Sequence, residues 1–479
     1  MLWLCISLPG LPLEALQPEK TGVPTVVTAC EGSTRWIIDC NEAAERAHLK
    51  APMNYTVALA VQPQLTMLNR RIRAERAALE RLAGWAYQFS GTVILGDIPV
   101  ELRLARTACL WLEIEASLTL FGGFRNFIER LECELKQLDY SYRLGIGPTL
   151  EGAALLARAG IRMAVTSPHA LFARIRNLPL GELTLPPQIA DQLHTAGVRT
   201  LGLLLELPRE SIAKRFGPDI SDFLDRLMGV AADPRVAFRL PEKYAAHFEF
   251  EFEVRNTEAL LFPLQRMLQE FAGYLRARDT GAQCFSIVFG HRSAPATCVR
   301  IGASTPERNA GRFLALVRER MQHVTLPEPT IGLSVLADEF ASPTALQNDL
   351  LNRSLQQTED LAHTLDRISM RVGENNVHYV RSAADHRPEK SWTTEEAAEK
   401  FPQVHFPDRP LWLLPEPRAL GSATLPGPAS RAERIESGWW DNDEDVQRDY
   451  YVVRMSQGPD LWVFQDLRTA DWYLHGFWS

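Results

Sequence analysis

A chain of 479 residues, 46% hydrophobic and 23% charged, exceeds one compact domain and has an ordinary globular composition, so three or four domains are expected. Its net charge of −8 sits entirely in the tail: residues 1–340 carry 37 Lys+Arg against 37 Asp+Glu, and residues 341–479 carry 14 against 22. The body can therefore still present a basic face, while the tail suits protein contacts better than phosphate. Seven scattered cysteines without a C-x-x-C spacing exclude a zinc ribbon and a disulfide framework and fit reduced thiols in a cytoplasm. The apolar start lacks a basic n-region and is broken by Pro9 and Pro12, so it reads as a buried strand and turn rather than a signal peptide. No run approaches the ~18 apolar residues of a membrane span.

Taken in order, residues 1–165 read as α/β. Residues 2–8 form a strand, and 25–29 and 34–38 a strand pair around Glu31-Gly32-Ser33. Residues 41–48 form a short helix. Residues 65–88 form a long one, with Leu65, Leu68, Ile72, Leu79, Leu82 and Trp85 close to helical spacing. Its arginines (Arg70, Arg71, Arg73, Arg76, Arg81) read as a solvated face or as DNA contacts. Strands follow at 92–95 and 108–115, a helix at 124–137 and a strand at 142–147. Residues 166–236 are short, helical and punctuated, and 237–340 turn α+β. There 248–254 (FEFEFEV) alternates apolar and acidic, followed by helices at 260–277 and 307–323 and strands at 283–289, 297–302 and 330–337. Residues 341–435 read as linker, rich in Pro, Ser, Glu and Ala toward its end. Residues 436–479 are dense in aromatics, with a hairpin formed by 450–454 and 461–465.

The first motif is LHTAGVRTLGLL at 193–204: a helix, a glycine turn and a second helix. This pattern suits sequence-independent DNA binding. Gly197 allows close backbone approach, N–H groups around Val198 and Thr200 face a phosphate, and Arg199 adds charge. A plain αα-hairpin with a glycine cap fits the same residues.

The second motif is LWLEIEASLTLFGG at 110–123 with LGIGPTLEGAALLARAG at 144–160. These segments resemble the Y-family translesion polymerases, whose palm carries S-x-D-E-A-x-L-D, an L-F-G-type turn and then G-I-A-x-N-K. Within that family the ImuB-type branch is most similar, through L-F-G-G and the C-terminal stretches 438–441, 448–451, 461–464 and 472–476. The resemblance to the family at large covers roughly residues 1–340. It implies a multidomain α/β and α+β chain with right-hand architecture: palm and fingers at 1–165, a helix-hairpin-helix thumb at 166–236, a little finger at 237–340, a linker at 341–435 and a small interaction module at 436–479.

The same resemblance allows the chemistry to be checked position by position. Two-metal nucleotidyl transfer needs carboxylate oxygens. Ser7 stands where the family has its first Asp, and Ala108 and Cys109 stand where it has Asp-Glu. Against the fingers' S-Y-E-A-R pattern, Glu42 replaces the Tyr and Glu45 the Arg, and Thr149-Leu150 follow Gly145-Ile146-Gly147-Pro148 with no lysine. The expectation is a chain without polymerase activity and without metal or other cofactor, unless Asp39, Asp97, Glu113 or Glu115 converge as substitute ligands.

Gln347-Asn348-Asp349-Leu350-Leu351 resembles the bacterial sliding-clamp peptide: two leucines for a groove and an amide for register. An ordinary helix start fits it equally in form. Trp439, Trp440, Tyr450 and Trp462, beside Asp441, Asp443, Glu444 and Asp445, read either as a small β core or as a partner-docking patch. The resemblance implies as partners primer-template DNA, the β sliding clamp, a recombinase-like accessory protein and an error-prone C-family polymerase, with no membrane. The implied role is a scaffold in translesion synthesis and damage-induced mutagenesis under the SOS response. An active polymerase with rearranged ligands and a protein-only adaptor are the competing readings.

Overall fold

The computed structural model describes residues 1–16, 22–101, 105–183 and 185–342, then 364–394 apart from 370, 374–375, 379 and 384, and 408–478 apart from 411, 422–429, 441–444 and 457. The chain divides into two units, Met1–Val372 and Gly373–Ser479. It is a multidomain mixture of α/β and α+β parts.

The first unit begins with a four-stranded antiparallel sheet in the order Val93–Leu95, Cys109–Glu113, Trp3–Ser7, Arg143–Gly147. Strand alternation gives it two cores. Leu4, Ile6, Leu110 and Leu112 pack with Leu79, Leu82, Phe127 and Leu131 from the helices Ile72–Ala86 and Phe124–Gln137. Cys5, Cys109 and Trp111 pack on the other face with Ala153 and Ala157 from the helix Leu150–Arg158. That helix lies so close that a Cβ on Gly145 would meet the backbone of Ala153 and Ala157, which explains the glycine there.

A second sheet has the order Met53–Asn54, Thr34–Cys40, Thr25–Glu31, Thr66–Asn69. It corrects the helix expected over 65–88. Thr66–Asn69 pairs parallel with Thr25–Thr28, and Leu68 drops into a core with Val27 and Ile38, so the helix begins only at Ile72. Leu68 is buried in the sheet and Leu65, partly buried, precedes the strand on a different cluster, so their spacing is not a helical face.

Helices Pro168–Ile175, Pro187–Thr195, Leu201–Glu206, Arg209–Phe216 and Pro218–Met228 close around Leu171, Ile175, Leu193, Leu201, Leu204, Ile212 and Leu224. The chain then runs back along the first sheet, where Phe238 N–H donates to Val93 O at 2.7 Å. The following antiparallel sheet, Thr297–Glu307, Ala282–Gly290, Thr330–Ala337, Tyr244–Val254, carries helices Thr257–Ala277 and Ala310–Met321 packed on it around Phe271, Phe285 and Phe313. The second of these starts later than the expected 307. Glu307 ends a strand, and the Asn309 side chain caps the helix by accepting from the N–H groups of Gly311 and Arg312.

Helix Thr257–Ala277 also docks on the layer formed by helix Ile72–Ala86 and the first sheet. Glu270 is fully buried and meets Arg81 Nε at 2.8 Å, while Tyr140 OH donates to its other oxygen at 3.0 Å. Burial, and then the Glu270 charge, push the Tyr140 hydroxyl up to about 12, so it remains a donor. Arg266 donates to the carbonyls of Glu14 and Asp139, and Arg276 to Glu134 and Gln88.

The second unit is built on a five-stranded antiparallel sheet: Trp412–Ala419, Trp472–Phe477, Leu461–Asp466, Val446–Val453, Glu433–Ser437. The hairpin expected near 450 and 461 is its centre, in the register Tyr450↔Phe464. The expected boundary at 436 falls inside a strand, and Trp412–Ala419, within the expected linker, is an edge strand pairing with Trp472–Phe477. Proline-rich composition disguised it: Pro415 and Pro417 are tolerated because an edge strand leaves N–H groups outside the ladder. All seven cysteines are free thiols, and no helix among the described residues is long and apolar enough to cross a membrane.

Candidate nucleic-acid interface

The three positions singled out for metal binding meet at one end of the first sheet. Ser7 pairs directly with Cys109, and Leu8 N–H donates to Ala108 O at 2.8 Å. All three side chains are buried. The site thus presents a hydroxyl, a methyl and a thiol. The neighbouring Cys5 thiol is pushed well up, first by burial and then by its hydrogen bond to Cys109, so it stays neutral.

The substitute carboxylates do not converge. Glu113 lies four residues along the strand from Cys109, ~13 Å at the usual rise, and accepts from the N–H groups of Leu2 and Glu115. Glu115 pairs with the Met1 amine at 2.6 Å. Asp39 is buried, accepts from Leu13 and Cys40 N–H and sits 3.8 Å from Arg106; burial pushes its carboxyl up to about 7 against those contacts. Asp97 is exposed. Among the described residues no group of three or more His, Cys, Asp or Glu is placed to hold a metal ion.

Beside the second sheet Glu42 pairs with Arg46 at 2.6 Å on an exposed helix face, and Glu45 is exposed beside it. Thr149 serves the fold instead. Its hydroxyl accepts from Gly152 N–H to cap the helix Leu150–Arg158 and donates to Leu227 O, tying that helix to the end of the helical region.

The glycine turn at 197 is formed as expected, with Gly197 at φ +82°. Gly197 and Arg199 are exposed, while Val198 is a core residue. The detail differs from a simple helix start. The N–H groups of Leu201, Gly202 and Leu203 are already taken by Leu178 O, Arg176 O and Thr200 Oγ1. The N–H groups of Gly197 and Val198 are taken likewise, by His194 O and Leu193 O, so the group left facing solvent at this turn is the Arg199 side chain.

The arginines of the 70–81 stretch are neither a solvated face nor a uniform basic stripe. Arg70 is buried against Glu75, Arg71 pairs with Glu249 and Glu251, Arg76 with Glu80 and Arg81 with Glu270, while Arg73 is exposed. Their partners lie up to 189 residues away, so sequence spacing gave no signal for this joint.

In the second unit the aromatic residues separate. Tyr450 and Trp462 are buried, stacked 4.2 Å apart, which corrects the docking role expected for them. Trp439 is 80% and Trp440 56% exposed, packed edge to face, and these two are the ones available to a partner. His475, fully buried, bonds Tyr450 OH through Nδ1 at 2.7 Å; burial is the main reason its pKa falls to about 4, with Glu389 pulling the other way. Gln347, Asp349, Leu350 and Leu351, like Asp441, Asp443 and Glu444, lie outside the described residues.

No family model matches the chain. It is 29% identical over 460 residues to Protein ImuB of Caulobacter vibrioides, in strains NA1000/CB15N and ATCC 19089/CB 15, covering 88% of this chain and 98% of the relative. Similar solved structures include DinB from Sulfolobus solfataricus (14% identity, TM-score 0.39, 72% of this chain and 100% of that one). Another is an insertion ternary complex of Dbh DNA polymerase (14% identity, TM-score 0.40, 71% and 99%).

Proposed function

We propose that this ImuB-type, Y-family-like chain serves translesion synthesis as a non-catalytic scaffold: it holds primer-template DNA, binds the sliding clamp and recruits an error-prone C-family polymerase that performs the chemistry. The carrying observation is the pairing of Ser7 with Cys109, next to Ala108, at one buried sheet end. A divalent metal pair needs several hard oxygen ligands there. One hydroxyl, one thiol and one methyl supply none of the charge, and Glu113 is ~13 Å away along the strand.

DNA would be held without sequence readout through the turn at Gly197, Val198, Arg199 and Thr200, as a salt-sensitive backbone contact. Gln347, Asp349, Leu350 and Leu351 would occupy a clamp groove. Trp439 and Trp440 would dock the polymerase or a recombinase-like accessory protein. Several weak contacts on one chain raise effective concentration at a lesion in the cytoplasm.

A protein-only adaptor is the second reading, favoured by charge: residues 166–236 hold eight Lys+Arg and eight Asp+Glu, and residues 237–340 hold twelve of each. Any basic face there comes from placement and not from excess. Primer extension with Mg²⁺ or Mn²⁺, run beside a DNA-binding titration on the same primer-template, separates the readings. Binding without extension is expected. Extension that survives stringent purification would make the chain an enzyme, and no binding at low salt would leave the adaptor.

A further inference from the structure

The acidic-apolar strand Tyr244–Val254 has a use beyond the sheet. Where it passes the start of helix Ile72–Ala86 it closes one side of a cleft of about 470 Å³. The charged lining is Arg70, Arg71, Arg73 and Arg81 against Glu249, with the His247 side chain beside them. Its floor is fixed: Arg70 and Arg81 are held by the buried Glu75 and Glu270. Its rim is different. Arg71, 37% exposed, is bridged at 3.0 Å by Glu249, 60% exposed, and at 3.0 Å by Glu251. Arg73 is exposed with no ion-pair partner among the described residues. Exposed pairs of the Arg71–Glu249 kind are weak and exchange readily, whereas the buried pairs beneath do not.

We infer that this cleft is an anion site for phosphate groups, and that Glu249 and Glu251 occupy its rim as internal substitutes that a phosphate displaces from Arg71. Arg71 and Arg73 are the recognising groups, since guanidinium forks match phosphate oxygens. The carboxylates then act as a threshold: a single weak anion does not displace them, and a multiply charged one does. Because Glu249 and Glu251 belong to the little-finger-like sheet and Arg71 to the palm-like layer, occupancy loosens the outer part of that joint while Glu270 keeps the inner part closed. This inference does not depend on the scaffold reading, because a phosphate probe tests it without DNA, clamp or polymerase.

Two sources share this chemistry, a free polyphosphate and the phosphodiester backbone of a single strand. The test is isothermal titration of the full chain at low salt with inorganic triphosphate and, separately, with an oligothymidylate. Both are run in an Arg199→Ala background so that the turn at Gly197 does not contribute. Arg71→Ala/Arg73→Ala is expected to weaken binding at least tenfold, and Glu249→Gln/Glu251→Gln to tighten it several-fold. Arg73→Ala alone, at an exposed position, gives a fold-safe check with a smaller loss. If triphosphate alone follows this pattern, the ligand is a free polyphosphate; if the oligonucleotide follows it, the ligand is a strand. No binding of either probe, or affinities unchanged in the arginine variants, would overturn the site. Glutamine variants that bind no tighter would overturn the displacement.

Discussion

Glu270→Ala probes the joint between helix Ile72–Ala86 and helix Thr257–Ala277. The substitution removes both oxygens of a carboxylate that is fully buried, one bonded to Arg81 at 2.8 Å and the other to Tyr140 OH at 3.0 Å. Among the described residues Arg81 keeps its contact to His247 O at 3.1 Å, and its side chain is 10% exposed, so water compensates poorly. Removing one partner of a buried ion pair costs about 3–5 kcal/mol because the other charge is left uncompensated. The stranded Tyr140 hydroxyl adds about 1–3 kcal/mol if nothing replaces its acceptor. The loss is expected at the joint, so it should read out as early release of the little-finger-like region. Limited proteolysis near residues 230–243 and a urea transition that splits in two would show it. Arg81→Met/Glu270→Leu should recover most of the loss, since apolar replacement of a buried pair is near neutral. If Glu270→Ala leaves both the midpoint and the cleavage pattern within error of the parent, the joint is not held by this pair.

Arg199→Ala should weaken primer-template binding uniformly across sequences and lower the slope of log K against log salt by about one, measured by fluorescence anisotropy. Gly197→Val should cost about 1–2 kcal/mol by forcing a β-branched residue to φ +82° and should reduce the same binding. His475 has a folded pKa near 4 against an ordinary 6.5, so the unfolded chain takes up the proton first. Stability of the second unit is therefore fully present above about 6.5 and is lost as pH falls toward 4, by ~3 kcal/mol at most. Calorimetry of the full chain should show a flat profile across this window in His475→Gln; an equally steep profile would remove His475 as the cause. Gln347→Ala/Leu350→Ala should abolish retention on an immobilised sliding clamp while leaving DNA binding intact, and unchanged retention would place the clamp contact elsewhere.

Much of the architecture was legible because its signals are local. The helix Phe124–Gln137 and the strand Thr330–Ala337 lie where period and composition placed them. The losses have physical causes. Thr66–Asn69 was hidden because a four-residue edge strand with one buried residue, Leu68, carries no period of its own, and only the partner strand at Thr25–Thr28 decides. Trp412–Ala419 was hidden because proline argues against a strand unless the strand is known to be an edge. At the candidate site, Ser7, Ala108 and Cys109 were readable as a set, since each is a residue identity at an expected place. Tyr450 and Trp462 were not separable from Trp439 and Trp440, because an aromatic residue carries the same letter in a core and on a surface. The joint between helix Ile72–Ala86 and helix Thr257–Ala277 depends on pairs such as Arg81 and Glu270, which no spacing rule connects.

The sealed sheet end at Ser7 and Cys109 has an evolutionary consequence. Ser7→Asp, Ala108→Asp and Cys109→Glu would not build a metal centre one step at a time. Each change alone would bury a lone carboxylate, Ala108→Asp in the core with Leu8 and Cys109→Glu in the core with Cys5 and Trp111, at a cost of several kcal/mol before any metal could repay it. The intermediate sequences would fold worse than either end point. Filling the sheet end with neutral side chains therefore works as a ratchet: once packed, it is separated from any carboxylate-lined arrangement by a valley of poorly folded variants.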